Sequence, residues 1–437
     1  MDDTKLFAVA GNPILHSRSP GMFRAAFKAG SVDAVYLRFA ASKADEIARM
    51  ARSMHIQGFN ITSPYKEKIL PFVDDMDGTA RRSGAVNTMV LDKGKLVGFN
   101  TDVEGAREAL LGHDVAMCRK KAIILGAGGA AKAAALALIS QGAFVTLVNR
   151  TIERAQNIAG TFSCRAAPVE AIPREMDDAD ILISCISEGV SLVPRHRLRK
   201  GLVVLDANYR EETPLVRDAK ARECTLIDGR EWLLFQGACA FRHFTGLEPP
   251  VPVMRSALYD DGGHARKNIA LIGFMCTGKS TVSRHLVEKL KMTHIDIDSE
   301  VERKNVSSIT DIFKDLGEGP FRRMEAEEID AAACMPGRII SCGGGAVLNT
   351  ASIDRLKKSA IVVWLNAGVE TILQRVGNDL SRPLLNVPDR RSEIEKMLQL
   401  REGHYARACD LIINTDEKGP EEIAKRIYDE INTSLER

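Results

Sequence analysis

The stretch with the most specific chemistry is GFMCTGKST, which follows the strand-like run IALI and precedes a helix-like run. It places Gly273, Gly278, Lys279 and Ser280 in the spacing G-x-x-x-x-G-K-S. In such a loop the backbone amides surround a β-phosphate, the lysine reaches the β and γ oxygens, and the serine hydroxyl binds Mg²⁺. The stretch therefore predicts a nucleoside triphosphate site. The loop alone fits GTPases, ATPase motors and small-molecule kinases.

A second loop of different design follows the apolar run KKAIIL near the middle of the chain. Gly126, Gly128 and Ala131 give the spacing G-x-G-x-x-A, which is the accepted variant of the dinucleotide-binding fingerprint. A helix beginning near Gly129 would direct its N-terminal amides at a pyrophosphate. The residues expected to contact that pyrophosphate are consecutive: Gly126, Ala127, Gly128, Gly129 and Ala130.

The next strand along the chain indicates which dinucleotide is bound. NAD-binding units usually end this strand with an acidic residue that takes the ribose hydroxyls. Here the position holds Asn149, Arg150 and Thr151, and Arg154 follows one helical turn later. Because a guanidinium suits a 2′-phosphate through charge-assisted hydrogen bonds, the sequence favours NADP over NAD.

Polar residues in the first hundred positions stand where loops leave strand-like runs. Ser17 and Ser19 are two residues apart, so an extended chain presents them on one side. Lys66 and Asp102 could deliver and recover the proton that accompanies hydride transfer to a ketone. Hydroxyl and amide groups suited to a small polyhydroxylated acid are supplied by Asn60, Thr62, Asn87, Asn100 and Thr101.

A further set of charged residues follows the triphosphate loop. Asp296 and Asp298 end a strand, where one carboxylate could assist Mg²⁺ and the other could take the proton of an acceptor hydroxyl. Arg322 and Glu325 are three residues apart on one helical face. The glycines at 343–345 would expose backbone amides to a substrate. Two more arginines could reach the same cleft, Arg382 and Arg401.

Composition places limits on the class of protein. The chain has 437 residues, so two or three domains are expected. Its net charge of +2 gives no reason to expect a nucleic-acid or membrane partner, and no run of apolar residues is long enough to span a bilayer. The nine cysteines are scattered singly and the start of the chain is acidic, so we expect reduced thiols and a cytoplasmic protein.

Short apolar runs alternate with helical patterns over almost the whole length, which predicts an α/β protein with parallel sheets. We expect a substrate domain at 1–102, completed by helices from 231–258, and a Rossmann domain at 103–230. The polar, glycine-containing segment 259–267 is interpreted as a linker. A P-loop domain is expected at 268–437.

The part from about 5 to 258 resembles shikimate dehydrogenase. The shared motifs are G-N-P-I-x-H-S-x-S-P, N-x-T-x-P-x-K, G-A-V-N-T, N-T-D, G-A-G-G-A-A-K and N-R-T, together with DANYREETPLV and LLFQGA. The resemblance implies NADPH-dependent reduction of 3-dehydroshikimate, with Lys66 and Asp102 catalytic and Tyr209 near the nicotinamide. It also implies six residues that hold the substrate: Ser17, Ser19, Asn60, Thr62, Asn87 and Gln236.

Two departures from that family lie near the expected nicotinamide position. The segment SCISEGV, at 184–190, stands where the family usually has an Asn-Ala-Thr type sequence. Arg210 and Glu211 replace the usual Asn-Pro after Tyr209. Neither departure changes Lys66 or Asp102.

The part from 267 to about 433 resembles shikimate kinase, through D-x-D, G-E-x-x-F-R-x-x-E, G-G-G, R-P-L-L and R-x-x-x-Y. The resemblance implies that Lys279 and Arg382 stabilise the transferring phosphoryl group, and that Ser280 and Asp296 attend Mg²⁺. Residues implied to hold shikimate are Asp298, which is also catalytic, Arg322, Gly344, Gly345 and Arg401. Residues implied to contact ATP are Gly273, Gly278, Lys279, Ser280, Thr281, Arg375 and Lys418, with Pro420 nearby.

Together the two resemblances imply a bifunctional enzyme of aromatic amino-acid biosynthesis that uses NADP(H), ATP and Mg²⁺. The first half would make shikimate, and the second would phosphorylate its 3-hydroxyl. Three alternatives remain: a first half that prefers quinate with NAD, one half that only binds nucleotide, and a kinase half that acts on another polyol. No partner protein is implied.

Overall fold

A computed structural model describes residues 4–186, 191–209, 211–260, 266–377 and 383–435. The chain forms two compact units. The first unit comprises Met1–Pro20, Asp33–Glu46 and Gly262–Arg437, and the second comprises Gly21–Val32 and Ile47–Asp261. The proposed domain boundaries, which follow motifs rather than contacts, stay a prediction.

The N-terminal part of the chain contains short strands interspersed with helices. Its elements are β1 (Lys5–Gly11), α1 (Ser19–Ala29), β2 (Ala34–Ala40), α2 (Ala44–Ser53), β3 (Gly58–Ile61), β4 (Asp75–Met76), α3 (Gly78–Ser83), β5 (Thr88–Asp92), β6 (Lys95–Phe99) and α4 (Thr101–Leu111).

The middle of the chain alternates strands and helices and closes with two helices. Its elements are β7 (Lys121–Leu125), α5 (Gly129–Ser140), β8 (Phe144–Val148), α6 (Ile152–Phe162), β9 (Arg165–Ala167), α7 (Ile172–Glu175), β10 (Ile181–Ser184), β11 (Val203–Asp206), α8 (Pro214–Ala221), β12 (Thr225–Ile227), α9 (Gly229–Thr245) and α10 (Val251–Tyr259).

The C-terminal part is again an alternation of strands and helices. Its elements are β13 (Asn268–Ile272), α11 (Lys279–Leu290), β14 (Thr293–Asp296), α12 (Ile297–Asn305), α13 (Ile309–Leu316), α14 (Glu318–Ala333), β15 (Arg338–Ser341), α15 (Thr350–Ser359), β16 (Ala360–Asn366), α16 (Val369–Val376), α17 (Arg390–Ala408), β17 (Leu411–Asn414) and α18 (Pro420–Leu435).

The first unit is built on seven parallel strands in the order β14-β15-β13-β16-β17-β2-β1. Every residue of β13 is buried, as expected for a central strand covered on both faces. The triphosphate loop leaves the carboxyl end of β13, which lies between β15 and β16. Such a reversal of strand order opens the crevice in which α/β proteins bind ligands. On the far side, β17 pairs with β2 through Ile412 and Phe39.

The second unit contains a six-stranded parallel sheet in the order β12-β11-β10-β7-β8-β9. In chain order this is the 3-2-1-4-5-6 arrangement of a Rossmann fold, with the glycine loop leaving its first strand, β7. Four shorter strands of the same unit follow the order β3-β5-β6-β4. The predicted α/β class, with a Rossmann fold and a P-loop parallel sheet, is confirmed.

Helices α4 and α9 of the second unit pack unusually closely. A methyl group added at Gly105 of α4 would lie 2.7 Å from the backbone nitrogen of Gln236 in α9. The indole Nε1 of Trp232 in α9 donates a hydrogen bond to the carbonyl oxygen of Asp102, at 2.9 Å. This packing fixes the N-terminal end of α4 against α9, and α4 carries one of the candidate catalytic carboxylates.

Two properties concern the whole of the described chain. All nine cysteines are free thiols. Over the described residues, we find no helix whose length and apolar character would let it traverse a lipid bilayer.

Candidate active sites

A lysine and an aspartate form a close ion pair in the second unit. Lys66 Nζ lies 2.6 Å from Asp102 Oδ2, and both side chains are largely shielded, with exposures of 23% and 10%. Lys66 follows β3, and its carbonyl oxygen accepts a hydrogen bond from the backbone N–H of Val86. An ammonium and a carboxylate at this distance can exchange and hold one proton.

The position of Asp102 follows from the start of α4. Asn100 caps this helix, and its side-chain oxygen accepts a hydrogen bond from the backbone N–H of Asp102 at 3.1 Å. Asn100 is itself held, because its amide donates to Ser83 Oγ and to the carbonyl oxygen of Ala85. A carboxylate in the first turn of a helix is favoured by the helix dipole. Asp102 lies in this first turn of α4.

Buried amides and hydroxyls surround this end of α4. Asn87 Oδ1 accepts from the backbone N–H of Thr101 at 2.7 Å, while its Nδ2 donates to Thr101 Oγ1 and to Gln236 Oε1. Asn60 Nδ2 donates to Thr88 Oγ1 at 3.0 Å. The structure thus brings Asn60, Asn87 and Gln236 of the predicted substrate residues into one network. Thr62 is half-buried, and its carbonyl oxygen closes the turn to Tyr65.

Ser17 and Ser19 lie in the first unit: Ser17 is on the segment between β1 and α1, and Ser19 is the first residue of α1. Both are buried, and Ser17 Oγ accepts a hydrogen bond from the backbone N–H of Ser19 at 3.4 Å. Arg38 of β2 donates through Nη2 to the carbonyl oxygen of Ser17 at 2.7 Å. The two serines therefore sit on a segment with a fixed backbone.

The glycine loop after β7 has the conformation that a dinucleotide requires. Gly126 has a φ of +113°, and a methyl group there would lie 3.1 Å from the carbonyl oxygen of Cys185, which follows β10. A methyl group at Gly128 would meet nothing within 4 Å, so the loop surface is open there. Gly129 begins α5, and a methyl group on it would lie 3.6 Å from Lys66 Cδ. The loop fits a pyrophosphate and lies beside the Lys66–Asp102 pair.

The residues expected to read the 2′-phosphate follow β8. Arg150, Thr151 and Arg154 are exposed, and Asn149 Nδ2 donates to the carbonyl oxygen of Thr151 at 2.9 Å. Tyr209 is half-buried in the turn after β11. Of the two sequence departures, residues 187–190 and Arg210 lie outside the described residues.

Sequence reasoning missed a buried carboxylate at the end of β11. Asp206 accepts hydrogen bonds from Thr213 Oγ1 at 2.6 Å and from the backbone N–H of Asn208 at 3.1 Å. Burial raises the pKa of its carboxyl group. Asp206 shapes the turn that carries Tyr209, and its place directly after a buried strand could have indicated it.

The first unit contains a cavity of about 870 Å³ at the carboxyl ends of β13, β14 and β15. It is lined by the triphosphate loop on one side and by charged residues of α12, α14 and α17 on the other. The predicted kinase residues that line it are Gly278, Lys279, Ser280, Thr281, Asp296, Asp298, Arg322, Gly344, Gly345, Arg375, Arg401 and Lys418. Arg382 lies outside the described residues.

The triphosphate loop fits a phosphate chain. Gly273 and Gly278 have φ angles of +146° and +97°, which favour glycine. Lys279 Nζ donates to the carbonyl oxygens of Gly273 and Phe274, both at 2.9 Å, so the ammonium lies over the loop. These features match a loop whose amides and lysine hold β- and γ-phosphates.

Two oxygen groups beside this loop fit Mg²⁺. Ser280 Oγ donates to Asp296 Oδ2 at 2.6 Å. Asp296 also caps α12, because its Oδ1 accepts from the backbone N–H of Ser299. Mg²⁺ prefers hard oxygen ligands and is commonly held by one or two protein groups together with substrate phosphates. A serine hydroxyl and one carboxylate are such a pair.

The opposite wall of the cavity has a tightly packed charged cluster. Arg322 Nη1 donates to Glu325 Oε2 at 2.7 Å. A methyl group at Gly343 would lie 2.3 Å from Glu325 Oε1 and 2.7 Å from Asp298 Oδ1. Glu325 is 2% exposed, and burial raises the pKa of its carboxyl group. Its three-residue spacing from Arg322 was visible in the sequence, although no role was assigned to it.

Two arginines complete the cavity from α16 and α17. Arg401 Nη1 donates to the carbonyl oxygen of Gly344 at 3.2 Å, and Tyr405 OH donates to the same oxygen at 2.5 Å. Arg375 spans from the triphosphate loop to Thr415, donating to Thr277 O at 3.3 Å and to Thr415 O at 2.7 Å. These bonds fix Gly344 and align Arg375 along the side of the loop.

Lys418 has a partner that no sequence motif indicates. Its Nζ lies 2.6 Å from Glu46 Oε1 of α2, and the two side chains are 13% and 2% exposed. The same ammonium donates to the carbonyl oxygen of Asn414 at 3.1 Å. Lys418 is therefore held in place at the cavity edge by a residue 372 positions away in the chain.

The folds and sites define a class: a Rossmann dehydrogenase and a P-loop phosphotransferase in one polypeptide. Family profiles match both parts. Residues 9–89 match the shikimate dehydrogenase substrate binding domain, and 110–208 match shikimate / quinate 5-dehydrogenase. Residues 229–259 match the shikimate 5'-dehydrogenase C-terminal domain, and 275–432 match shikimate kinase.

Individual relatives agree with the profiles. A shikimate dehydrogenase (NADP(+)) of Pyrococcus furiosus is 42% identical over 259 residues, which are 58% of this chain and 94% of the relative. A Thermus thermophilus shikimate 5-dehydrogenase, solved with NADP(H) and shikimate, is 34% identical with a TM-score of 0.54 and covers 58% of this chain and 98% of its own. A Corynebacterium glutamicum quinate dehydrogenase, solved with NAD, is 29% identical with a TM-score of 0.55 over the same shares. The chain belongs to the shikimate dehydrogenase family and carries a shikimate kinase domain after it.

Proposed function

We propose that this chain catalyses two consecutive reactions of aromatic amino-acid biosynthesis. It reduces 3-dehydroshikimate to shikimate with NADPH, and it then phosphorylates the 3-hydroxyl of shikimate with ATP. One observation carries the proposal: each of two different phosphate-binding loops lies beside its own carboxylate. Asp102 is paired with Lys66 next to the glycine loop, and Asp298 lines the cavity of the triphosphate loop.

In the reductase half, bound NADPH supplies the hydride. Lys66 protonates the substrate oxygen as negative charge develops on it, and Asp102 holds the ammonium in position. Asn60, Thr62, Asn87 and Gln236 bind the hydroxyl groups and carboxylate of the substrate. Ser17 and Ser19 bind the substrate from the segment after β1.

The cofactor of this half is NADP(H). Arg150, with Arg154 one turn later, binds the 2′-phosphate, and Asn149 and Thr151 shape the turn. Gly126 to Ala130 bind the pyrophosphate, and Tyr209 lies against the nicotinamide. The exposed position of Arg150 at the end of β8 supports this assignment.

In the kinase half, Asp298 accepts the proton of the substrate hydroxyl. Arg322, Arg401 and the amides of Gly344 and Gly345 hold the substrate, whose carboxylate suits the paired guanidinium groups. Lys279 stabilises the transferring phosphoryl group, together with Arg382. Ser280 and Asp296 hold Mg²⁺, while Arg375 and Lys418 lie along the nucleotide.

The domain boundaries and the localisation belong to the same proposal. The substrate domain spans 1–102 with helices from 231–258, the Rossmann domain spans 103–230, and the kinase domain spans 268–437. The cytoplasm is the proposed location, and nine free thiols support a reducing compartment. The proposed ligands are small molecules.

The decisive experiment supplies purified protein with 3-dehydroshikimate, NADPH and MgATP and looks for shikimate 3-phosphate by mass spectrometry. Without ATP, shikimate should accumulate as NADPH is consumed. With shikimate and MgATP alone, shikimate 3-phosphate should form. Loss of either partial reaction would reduce the proposal to the remaining half.

The quinate alternative rests on one specific likeness, the quinate dehydrogenase solved with NAD. Initial rates of oxidation measured with shikimate and quinate, each with NADP⁺ and NAD⁺, separate the two assignments. We expect the shikimate and NADP⁺ pair to give the highest kcat/KM.

A further inference from the structure

The last helix of the kinase domain contacts the segment that carries Ser17 and Ser19. Helix α18 presents Arg426 and Glu430 one turn apart, so both side chains lie on one face. These two residues and the segment belong to the same compact unit. The contacts join residues that are more than 380 positions apart in the chain.

Glu430 binds backbone amides of that segment. Its Oε2 accepts hydrogen bonds from the backbone N–H groups of Ile14 and Leu15, at 2.7 and 2.8 Å. The side chain of Glu430 is 1% exposed. It forms an ion pair with Arg426, whose Nη2 lies 3.5 Å from Glu430 Oε1. A buried carboxylate that receives two N–H groups forms strong, directional bonds, and leaving those N–H groups unpaired is costly.

Arg426 binds carbonyl groups at the carboxyl ends of β1 and β2. Its Nη2 donates to the carbonyl oxygen of Ala41 at 2.6 Å and to that of Gly11 at 3.4 Å. One helix of the kinase domain thus satisfies both donors and acceptors of the turns that follow the first two strands. Because β1 and β2 are parallel, their carboxyl ends lie at one edge of the sheet, where one helix can contact both turns.

The geometry points to Glu430 as a positioning residue for the reductase: it holds the Ile14–Leu15 amides and so keeps Ser17 and Ser19 in their substrate-binding arrangement. The link between the amides and the serines is short. The backbone N–H of Ser17 donates to the carbonyl oxygen of Ile14 at 2.9 Å, so a displacement of Ile14 displaces Ser17. This inference rests on the proposed function, in which the two serines bind 3-dehydroshikimate.

The segment has a second support, which makes the inference testable. Arg38 of β2 holds the carbonyl oxygen of Ser17 at 2.7 Å. If Arg38 alone fixed the serines, removal of the Glu430 carboxylate would leave substrate binding unchanged. If both supports are needed, the segment without Glu430 populates its binding arrangement only part of the time, and the apparent affinity falls by that fraction.

The experiment uses the full chain and four forms: wild type, Glu430→Ala, Glu430→Gln and Asp429→Asn. The glutamine keeps an oxygen that can accept both N–H groups but lacks the charge. Asp429 is an exposed carboxylate on the same helix and serves as the matched control. The measured quantities are KM and kcat of the reductase for 3-dehydroshikimate, KM for NADPH, and the kinase KM for shikimate and ATP.

We expect Glu430→Ala to raise the KM for 3-dehydroshikimate about tenfold, Glu430→Gln to give an intermediate rise, and Asp429→Asn to give none. The KM for NADPH and the kinase KM values for shikimate and ATP should stay unchanged. Unchanged values also show that the variant chain is folded. Should Glu430→Ala fail to fold, the same comparison is made with Glu430→Gln.

Two results would overturn the inference: an unchanged KM for 3-dehydroshikimate in both Glu430 variants, or an equal rise in the kinase constants. Failure of the proposed function gives a different result, because the wild-type chain itself would then not reduce 3-dehydroshikimate.

Discussion

Lys66 Nζ and Asp102 Oδ2 lie 2.6 Å apart, and Asp102 occupies the first turn of α4. The pair therefore places an ammonium against a carboxylate at the N-terminal end of a helix. A methyl group on Gly129 of the cofactor loop would lie 3.6 Å from the same lysine side chain. The proposed proton-transfer pair and the proposed cofactor loop are thus neighbours.

Replacing the carboxylate of this pair should stop reduction and leave phosphorylation intact. Asp102→Asn keeps the shape of the side chain but removes the charge that holds the Lys66 ammonium. We expect a fall in reductase kcat of about 10²–10⁴-fold, which is the usual contribution of a positioned proton-transfer group. Kinase activity of the same preparation is the control for folding, and Asp92→Asn, at the exposed end of β5, should be silent.

The proposed Mg²⁺ site can be tested without disturbing the helix that Asp296 caps. Asp296→Asn retains a side-chain oxygen for the N–H of Ser299, because asparagine caps helices as well as aspartate does. It removes the negative charge beside Ser280 Oγ. We expect the Mg²⁺ concentration for half-maximal kinase activity to rise about 10–100-fold. An unchanged Mg²⁺ titration would rule out a role for Asp296, and reductase rates serve as the internal control.

Gly345 tests the substrate wall of the kinase cavity. A methyl group there would lie 2.2 Å from Arg322 Nη2, so Gly345→Ala must displace the guanidinium. We expect the KM for shikimate to rise at least tenfold, since a displaced Arg322 loses its aligned bonds to a carboxylate. Gly319→Ala in α14 is the matched control, because its methyl group would meet nothing within 4 Å. Equal KM values for the two variants would contradict the assignment of this wall.

The local parts of both sites were predictable because their chemistry depends on short spacings. The G-x-x-x-x-G-K-S loop, the D-x-D carboxylates and the G-x-G-x-x-A loop each lie within one turn and its flanking elements. Their surroundings follow from strand-turn-helix units whose handedness is almost invariant. The α/β class and the two nucleotide loops could therefore be read from the sequence.

The long-range contacts could not be predicted in this way. Ile412 pairs with Phe39, Lys418 with Glu46, and Glu430 with the amides of Ile14 and Leu15. Each joins residues more than 370 positions apart, and neither partner carries a motif for the other. Such pairings depend on which sheet edges meet, and periodicity within one element carries no information about that.

The Lys418–Glu46 pair should matter for ATP binding and for stability. Glu46→Gln leaves a buried ammonium without its charge partner, and loss of one member of a buried pair typically costs about 3–5 kcal/mol. We expect a lower melting temperature and a raised KM for ATP. The double variant Lys418→Met/Glu46→Gln should recover part of the stability, because no unpaired charge remains. If the stability losses of the two single variants simply add up in the double variant, the two residues are not coupled.

Glu402 of α17 should make the stability of the kinase domain depend on pH. Burial raises the pKa of its carboxyl group from 4.5 to about 7. The folded chain therefore binds a proton that the unfolded chain has already released, so the stabilisation present below pH 4.5 is lost as pH rises through about 7. Glu402→Gln stays neutral and avoids this loss, by about 3 kcal/mol at pH 8. Melting curves should show that Glu402→Gln and wild type have similar stabilities at pH 5. At pH 8 the variant should be the more stable of the two. Glu395→Gln, at an exposed position on the same helix, should differ from wild type equally at both pH values. If the difference in stability between Glu402→Gln and wild type is also the same at both pH values, the raised pKa of Glu402 is refuted.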